Sequence, residues 1–193
     1  MSRPSTRERI LDTAVGLLHE RGYAACGVRE ITEAAGVPLG SFTNHFRSKE
    51  AFATLVLDRY IDVLLDIAAR TLGDRSREPL VRITSYFGAI AEIAGPLRWR
   101  FGCMVANMGL ELPAHSELAR ARLITALEQL TTPFAEAIRE AQELGQARTD
   151  IGAEDLAVIV LSGWHGALLR AKVEQRGDIP LMFARTLPLL LRA

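Results

Sequence analysis

The sequence predicts an all-α fold. An amino-terminal three-helix helix-turn-helix domain over residues 1–47 precedes a six-helix domain over residues 48–193. Three observations carry this reading. Apolar residues recur at helical spacing along nearly the whole chain, and no stretch alternates with the period of a strand. Residues 28–50 also set two short helical patterns on either side of a tight turn. Composition agrees, with 49% hydrophobic and 24% charged residues over 193 positions, ordinary values for a globular chain long enough to bury a core.

The elements follow in order. Ser5-x-x-Glu8 is a capping box, and the helix it opens buries Ile10, Ala14, Leu17 and Leu18 before Gly22 stops it. Val28, Ile31 and Ala35 line one face of the second helix, and Gly36 supplies the turn. Leu39, Phe42 and Phe46 recur at i, i+3 and i+7, which points the apolar stripe of the third helix inward. Ser48 caps a fourth helix over residues 48–72, and a polar connector follows at 73–77. Pro79 opens a fifth through residue 93, and Gly95-Pro96 breaks it. Residues 97–112 read as one further helix carrying Trp99, Cys103, Met104 and Asn107. Ser116 caps a long helix with a seam of Leu123, Leu127, Leu130, Phe134, Ile138 and Ala141; Pro133 should kink it and Gly145 ends it. Residues 153–173 and 179–191 close the chain. Leu161, Trp164, Leu168 and Lys172 follow one another on the first of these, and Leu181, Ala184, Leu187 and Leu191 form an apolar face on the second, which Pro188 should bend or shorten. Two such broad faces predict a partner subunit, hence a homodimer.

The third helix points to function. At about 100° per residue, Gly40, Ser41 and Asn44 point away from its apolar stripe, with Thr43 and His45 on the flanks. A short helix that hides two Phe and shows small hydrogen-bonding side chains suits the floor of a DNA major groove. Lys49 places a cation beside amides able to hold a phosphate. The expected partner is double-stranded DNA. For His45 a phosphate contact stands beside the plainer reading of a helix-end surface histidine.

Charge is compatible with this. The formal net charge is zero, but residues 1–49 carry +2 and the remainder −2. No run approaches the roughly 18 to 20 apolar residues of a membrane span, and the charged start leads into an amphipathic helix rather than a signal peptide. Two cysteines make no disulfide framework and fit a reducing cytoplasm. Phosphate loops, Cys-x-x-Cys pairs, His-x-x-x-His pairs and nucleophile elbows are absent from the sequence, so no metal, cofactor or catalytic residue is expected.

The stretch from about Thr6 to Tyr60 resembles the amino-terminal DNA-binding domain of the TetR family of one-component repressors. The matching text is Ile10-Leu11-Asp12-Thr13-Ala14, Leu17-Leu18-His19-Glu20-Arg21-Gly22-Tyr23 and Val28-Arg29-Glu30-Ile31. It continues through Ala34-Ala35-Gly36-Val37, Gly40-Ser41-Phe42, His45-Phe46 and Ser48-Lys49-Glu50-Ala51. The resemblance implies a dimer reading a palindromic operator, with Arg29, Gly40, Ser41, Thr43, Asn44, His45 and Lys49 at the DNA. It also implies a four-helix bundle between the subunits. Thr43 stands where the family commonly has a phosphate-contacting Tyr, and Leu39 where it often has a cation; Thr can still donate to a phosphate, but a lost cation weakens the non-specific grip.

The regulatory part offers one sharper pairing. Among 23 basic residues only Lys49 and Lys172 are lysines. Unlike Arg, Lys can be tuned and can act as a nucleophile, and a cation near the thiol of Cys103 would favour the reactive thiolate. Against this, Cys is a good core residue and Lys172 near a helix end can snorkel to water. His165, beside Trp164, reads equally as a core histidine bonded to a carbonyl or as a ligand contact. Cys26 reads as packing.

A second resemblance bears on the choice. Gly102-Cys103-Met104-Val105-Ala106-Asn107, Trp164-His165-Gly166-Ala167-Leu168-Leu169-Arg170-Ala171-Lys172 and Ile179-Pro180-Leu181 resemble the electrophile- and acrylate-responsive, NemR-like repressors. That resemblance implies Cys103 as the sensing thiol, with Lys172 close to it. The expected inducer pocket lies between the helix of Trp99, Cys103, Met104 and Asn107 and the helix of Trp164, His165, Leu168 and Lys172. It should be mostly apolar, with Asn107 and His165 as polar groups. The signal should reach the DNA-binding part through the fourth helix. Three functions compete: a repressor released by a small molecule or by modification of Cys103, a regulator with a reversible hydrophobic ligand and a spectator Cys103, and a cysteine-dependent hydrolase. The last lacks an oriented partner for the thiol.

Overall fold

The computed structural model describes residues 4–192. Among them lie nine helices and no strand: α1 Thr6–Arg21, α2 Val28–Ala34, α3 Gly40–His45, α4 Lys49–Thr71, α5 Pro79–Ala94, α6 Met104–Glu111, α7 Glu117–Glu143, α8 Ala153–Glu174 and α9 Asp178–Leu191. The all-α expectation holds. One expected element does not. Residues 97–112 are not a single helix, because Arg98 and Trp99 sit at φ 53° and 58° and Gly102 at φ 70°, conformations that cannot propagate a right-handed helix. The chain turns through 95–102, and α6 begins only after Cys103. Pro133 and Pro188 lie inside α7 and α9, each of which continues past its proline.

The chain packs as two compact units. The first holds the described residues of Met1–Asp62 together with Cys103–Ala126. Its core is built from Ile10, Leu11, Ala14 and Leu18 of α1, Ile31 of α2, and Phe42, Phe46 and Phe52, whose rings stand 4.7–5.0 Å apart. The caps are those the sequence announces: Ser5 Oγ accepts from the Glu8 amide at 3.2 Å, and Ser48 Oγ from the Ala51 amide at 3.1 Å. The turn between α2 and α3 needs Gly36, at φ 63°, and Arg9 of α1 clamps it by donating to the carbonyls of Ala35 at 2.7 Å and Gly36 at 3.1 Å. Arg59 of α4 holds α1 through Asp12 at 2.6 Å and through Glu8. The His19 ring lies 5.1 Å from that of Tyr60, tilted by 60°.

The second unit comprises Val63–Gly102 and the described residues of Leu127–Ala193. Its centre is aromatic: Phe87 lies 4.7 Å from Trp164 and 5.4 Å from Phe134, and Tyr86 lies 4.9 Å from Phe134. Gly163 lets α8 approach α9, since a Cβ there would lie 2.7 Å from the Phe183 ring. The α8 helix is apolar enough in composition to cross a membrane, with a mean hydropathy of 1.3 over its best window. Its Leu156, Val160, Trp164 and Leu168 are nevertheless buried in this unit, as in any core helix. Arg82 of α5 is completely buried and pairs with Glu140 of α7, which Arg75 also contacts.

Candidate nucleic-acid interface and sensing site

The α3 helix is short, and what it buries decides what it shows. Phe42 and Phe46 are fixed in the first unit by Phe52, so the opposite side of the helix must face solvent. There Gly40, Thr43, Asn44 and His45 are exposed and Ser41 half-buried, with Leu39 54% exposed at the helix start. A Cβ on Gly40 would meet nothing within 4 Å, so this position is open to a close approach. The Thr43 hydroxyl donates back to the Gly40 carbonyl at 3.1 Å, which commits its one proton in this rotamer. Arg29 is exposed on α2 and pairs with Glu33 at 2.9 Å, a pair weak enough in water to be exchanged for a phosphate.

Lys49 opens α4, and its amine donates to the Tyr23 carbonyl at 2.8 Å while lying 4.2 Å from the Tyr23 ring centroid. One of its three protons is thereby spent on the protein itself. The Tyr23 hydroxyl in turn reaches Glu50 Oε1 at 3.4 Å, and burial together with the Glu50 charge raises the Tyr23 phenol above its ordinary pKa. Glu50 is held below the usual carboxylate range, chiefly by hydrogen bonding to its own backbone amide and to Ser48.

Cys103 is the N-cap residue of α6 and only 5% exposed, with Met104 completely buried behind it and Asn107 half-buried. It belongs to the first unit, whereas Trp99, Trp164, His165, Leu168 and Lys172 belong to the second. Lys172 is half-buried in the last turn of α8, where the helix dipole favours a cation, and His165 is half-buried. Cys26 is fully buried and donates from Sγ to the Leu17 carbonyl at 3.5 Å; burial raises its pKa, so this thiol is kept protonated.

The second unit contains a cavity of about 280 Å³ among α5, the turn before α6, α8 and α9. Phe87, Trp99 and Trp164 wall it, and Thr84 and Arg185 supply its polar groups. Trp99 and Trp164 were expected at a pocket; Asn107 and His165 do not line this one. The indole of Trp99 packs 6.1 Å from Trp164 and close over Gly177, where a Cβ would lie 2.8 Å from it. The left-handed backbone at Arg98 and Trp99 holds it there, an arrangement no periodicity argument could have found. Among the described residues no group of His, Cys, Asp or Glu is placed to hold a metal ion.

Sequence reasoning missed a contact of the first unit. Glu111, the last residue of α6, accepts from the amides of Tyr23 at 3.3 Å and Ala24 at 2.7 Å. It also missed the Arg9 clamp. Both are charged side chains on backbone groups far away in the chain, and neither leaves a local pattern.

Comparison with known proteins bears on both sites. Residues 10–55 match the family described as bacterial regulatory proteins, tetR family, and residues 79–187 match the tetracyclin repressor-like C-terminal domain. The chain is 38% identical over 178 residues to the HTH-type transcriptional repressor DhaR of Mycobacterium sp. strain GP1, covering 92% of this chain and 88% of that protein. It is 27% identical over 171 residues to the HTH-type transcriptional repressor NemR of Escherichia coli K12, covering 88% and 85%. A crystal structure of a regulatory protein TetR from Rhodobacter sphaeroides superposes with a TM-score of 0.89 at 34% identity, covering 96% of this chain and 98% of that one.

Proposed function

Because the chain belongs to the TetR family of bacterial transcription regulators, and is no enzyme, we propose that it works as a dimeric cytoplasmic repressor of a palindromic operator. In this reading residues 1–47 read DNA and residues 48–193 sense and dimerise. A small molecule, or an electrophile or oxidant acting on Cys103, releases the DNA. The observation that carries the DNA-binding half is α3: two buried Phe fix a helix whose exposed side presents Asn44, Thr43 and His45 beside an open Gly40. Asn44 is assigned to base edges, and Arg29, Thr43, His45 and Lys49 to phosphates.

Support for dimerisation comes from α8 and α9, which expose Val158, Ile159, Leu169, Val173, Leu181, Met182, Leu189 and Leu190. Gly166 is exposed on α8, and a Cβ there would meet nothing within 4 Å, so this position permits close helix approach. The face differs from the one the periodicity suggested. Leu161, Leu187 and Leu191 are 6%, 2% and 2% exposed and belong to the core of their own unit, so a partner meets the residues between them.

Cys103 supports the sensing half by its position. A buried thiol at the N-cap position of a helix cannot gain an adduct without moving that helix, and hundredfold release requires about 2.7 kcal/mol of bias against the DNA-binding state. Lys172 is assigned to favour the thiolate. A second reading, a reversible ligand with Cys103 a spectator, is favoured by the aromatic cavity, which Cys103 does not line.

Selection of DNA from a random pool, followed by titration of the selected site with an unsaturated carbonyl compound, tests the proposal. Wild type should select a palindrome and be released. Cys103→Ser should bind equally and ignore the electrophile, and Lys172→Ala should respond only at higher dose. Release of Cys103→Ser at the wild-type dose would leave the reversible-ligand reading in its place.

A further inference from the structure

We infer that Glu111 is a positioning residue for the DNA reader, holding the turn between α1 and α2 against the end of α6. The carboxylate occupies a small backbone nest: Oε2 accepts from the Ala24 amide at 2.7 Å and Oε1 from the Tyr23 amide at 3.3 Å. Gly22 makes the nest possible twice over. Its φ of 86° turns the two amides towards the carboxylate, and a Cβ at this position would lie 2.6 Å from Oε1. The same residue that stops α1 therefore also admits the anion.

The location of Glu111 argues that this contact is what the carboxylate is for. A negative charge on the last residue of a helix opposes the helix dipole, so it does not serve α6 itself. Two charge-assisted hydrogen bonds to a neighbouring turn offset that cost. From Tyr23 the linkage continues into the reader. The Tyr23 carbonyl holds the amine of Lys49, its ring lies under that amine, and its hydroxyl reaches Glu50. Lys49 and Glu50 open α4 directly after α3 and Phe46, so the nest sets the base on which the recognition helix stands.

The α6 helix then becomes a short rod with Cys103 capping one end and Glu111 closing the other, about 12 Å apart at the usual rise. Met104, Val105 and Met108 bury its flank, so displacement of one end is carried to the other rather than absorbed. The rod's use in induction rests on the reading of Cys103 given above; the positioning role does not.

The test uses the full-length protein as Glu111→Ala and Glu111→Gln, with three readouts: operator affinity, hydrogen exchange at the Tyr23 and Ala24 amides, and melting temperature. Glu111→Ala should deprotect those two amides and weaken the operator about tenfold, with the salt slope unchanged because no phosphate contact is lost. Glu111→Gln, which keeps an acceptor, should fall between. A merely structural residue would lower the melting temperature without singling out the two amides. Unchanged protection, or lost protection with wild-type affinity, would overturn the inference. A second arm treats wild type with N-ethylmaleimide. An adduct mapped to Cys103 should deprotect the same two amides as it releases DNA, and release without that deprotection removes α6 from the route. An adduct that releases nothing counts against the Cys103 reading alone, while the unmodified variants still decide Glu111.

Discussion

Glu140 of α7 accepts a hydrogen bond from Nη2 of Arg82, a guanidinium with no solvent exposure, whose Nε and Nη1 have no hydrogen-bond partner among the described residues. A charge buried this way is tolerable only while its counter-ion is present. The pair is therefore asymmetric under mutation. Glu140→Ala leaves an unpaired buried cation and should cost about 3 kcal/mol, measured as the shift in urea midpoint. Arg82→Met removes the charge with the cavity mostly refilled, and should cost far less or stabilise. Equal losses in the two variants would mean that the pair itself, rather than desolvation, dominates.

Acid should expose the same contact. The hydrogen bond from Arg82, aided by the charges of Arg82 and Arg75, holds the Glu140 carboxyl below its ordinary range. A depressed folded-state pKa means that the unfolded chain binds the proton first on acidification. The pair's contribution is thus complete above the ordinary glutamate range and lost as pH falls through and below it. Stability measured from pH 7 down to pH 3 should drop less steeply in the Arg82→Met, Glu140→Gln double variant than in wild type. Parallel curves would place the acid sensitivity elsewhere.

On α9, whose exposed side is proposed to meet a partner subunit, neighbouring leucines should behave in opposite ways. Leu189→Glu, at a residue 70% exposed, should give folded monomers with a normal melting profile and lost operator binding. Leu187→Glu, at a residue 2% exposed, should fail to fold, because it places a carboxylate in the core of its own protomer. Sedimentation and circular dichroism separate the two. A Leu189→Glu protein that stays dimeric would exclude this face.

That reversal shows where the sequence was legible. Helix periodicity, caps and the burial of Phe42 and Phe46 follow from local rules, whereas Leu39, on the same predicted stripe, is exposed at the helix start. The α9 face does not follow from them, because a helix apolar on most of its circumference does not announce which side meets its own chain: Leu181 is exposed and Leu187 buried though both lie on the predicted stripe. The turn at 95–102 was hidden for a related reason. Arg98 and Trp99 have ordinary helical propensity, and their left-handed backbone goes with a seat for the Trp99 indole over Gly177, a residue remote in sequence. Glu111, Arg9 and Arg82 act on groups remote in sequence, which a one-dimensional pattern does not carry.

At the DNA face, Asn44→Ala should change which bases are preferred, at a cost of about 1–3 kcal/mol at the selected site. Lys49→Ala should weaken all sequences alike and make the salt slope shallower by about one. Its bond to the Tyr23 carbonyl sharpens the measurement. If Lys49 only braces Tyr23, affinity falls but the slope stays, and the phosphate assignment fails. The palindrome's half-sites should lie about 34–36 Å apart, centre to centre.

The aromatic cavity provides its own reporter, since the chain has two tryptophans and both line it. Intrinsic fluorescence therefore reads this site without labels. Titration with a small planar apolar probe such as naphthalene should quench both indoles in wild type, at saturable concentration. Gly88 also lines the cavity, and a Cβ there meets nothing within 4 Å, so Gly88→Leu can fill the space without displacing the helix backbone. It also replaces a glycine inside α5 by a good helix former and should not destabilise the fold. The variant should keep operator binding and lose the quench. If Gly88→Leu quenches as wild type does, the probe sits elsewhere. If the probe releases wild-type protein from its operator while Cys103→Ser responds identically, the cavity rather than the thiol is where induction begins.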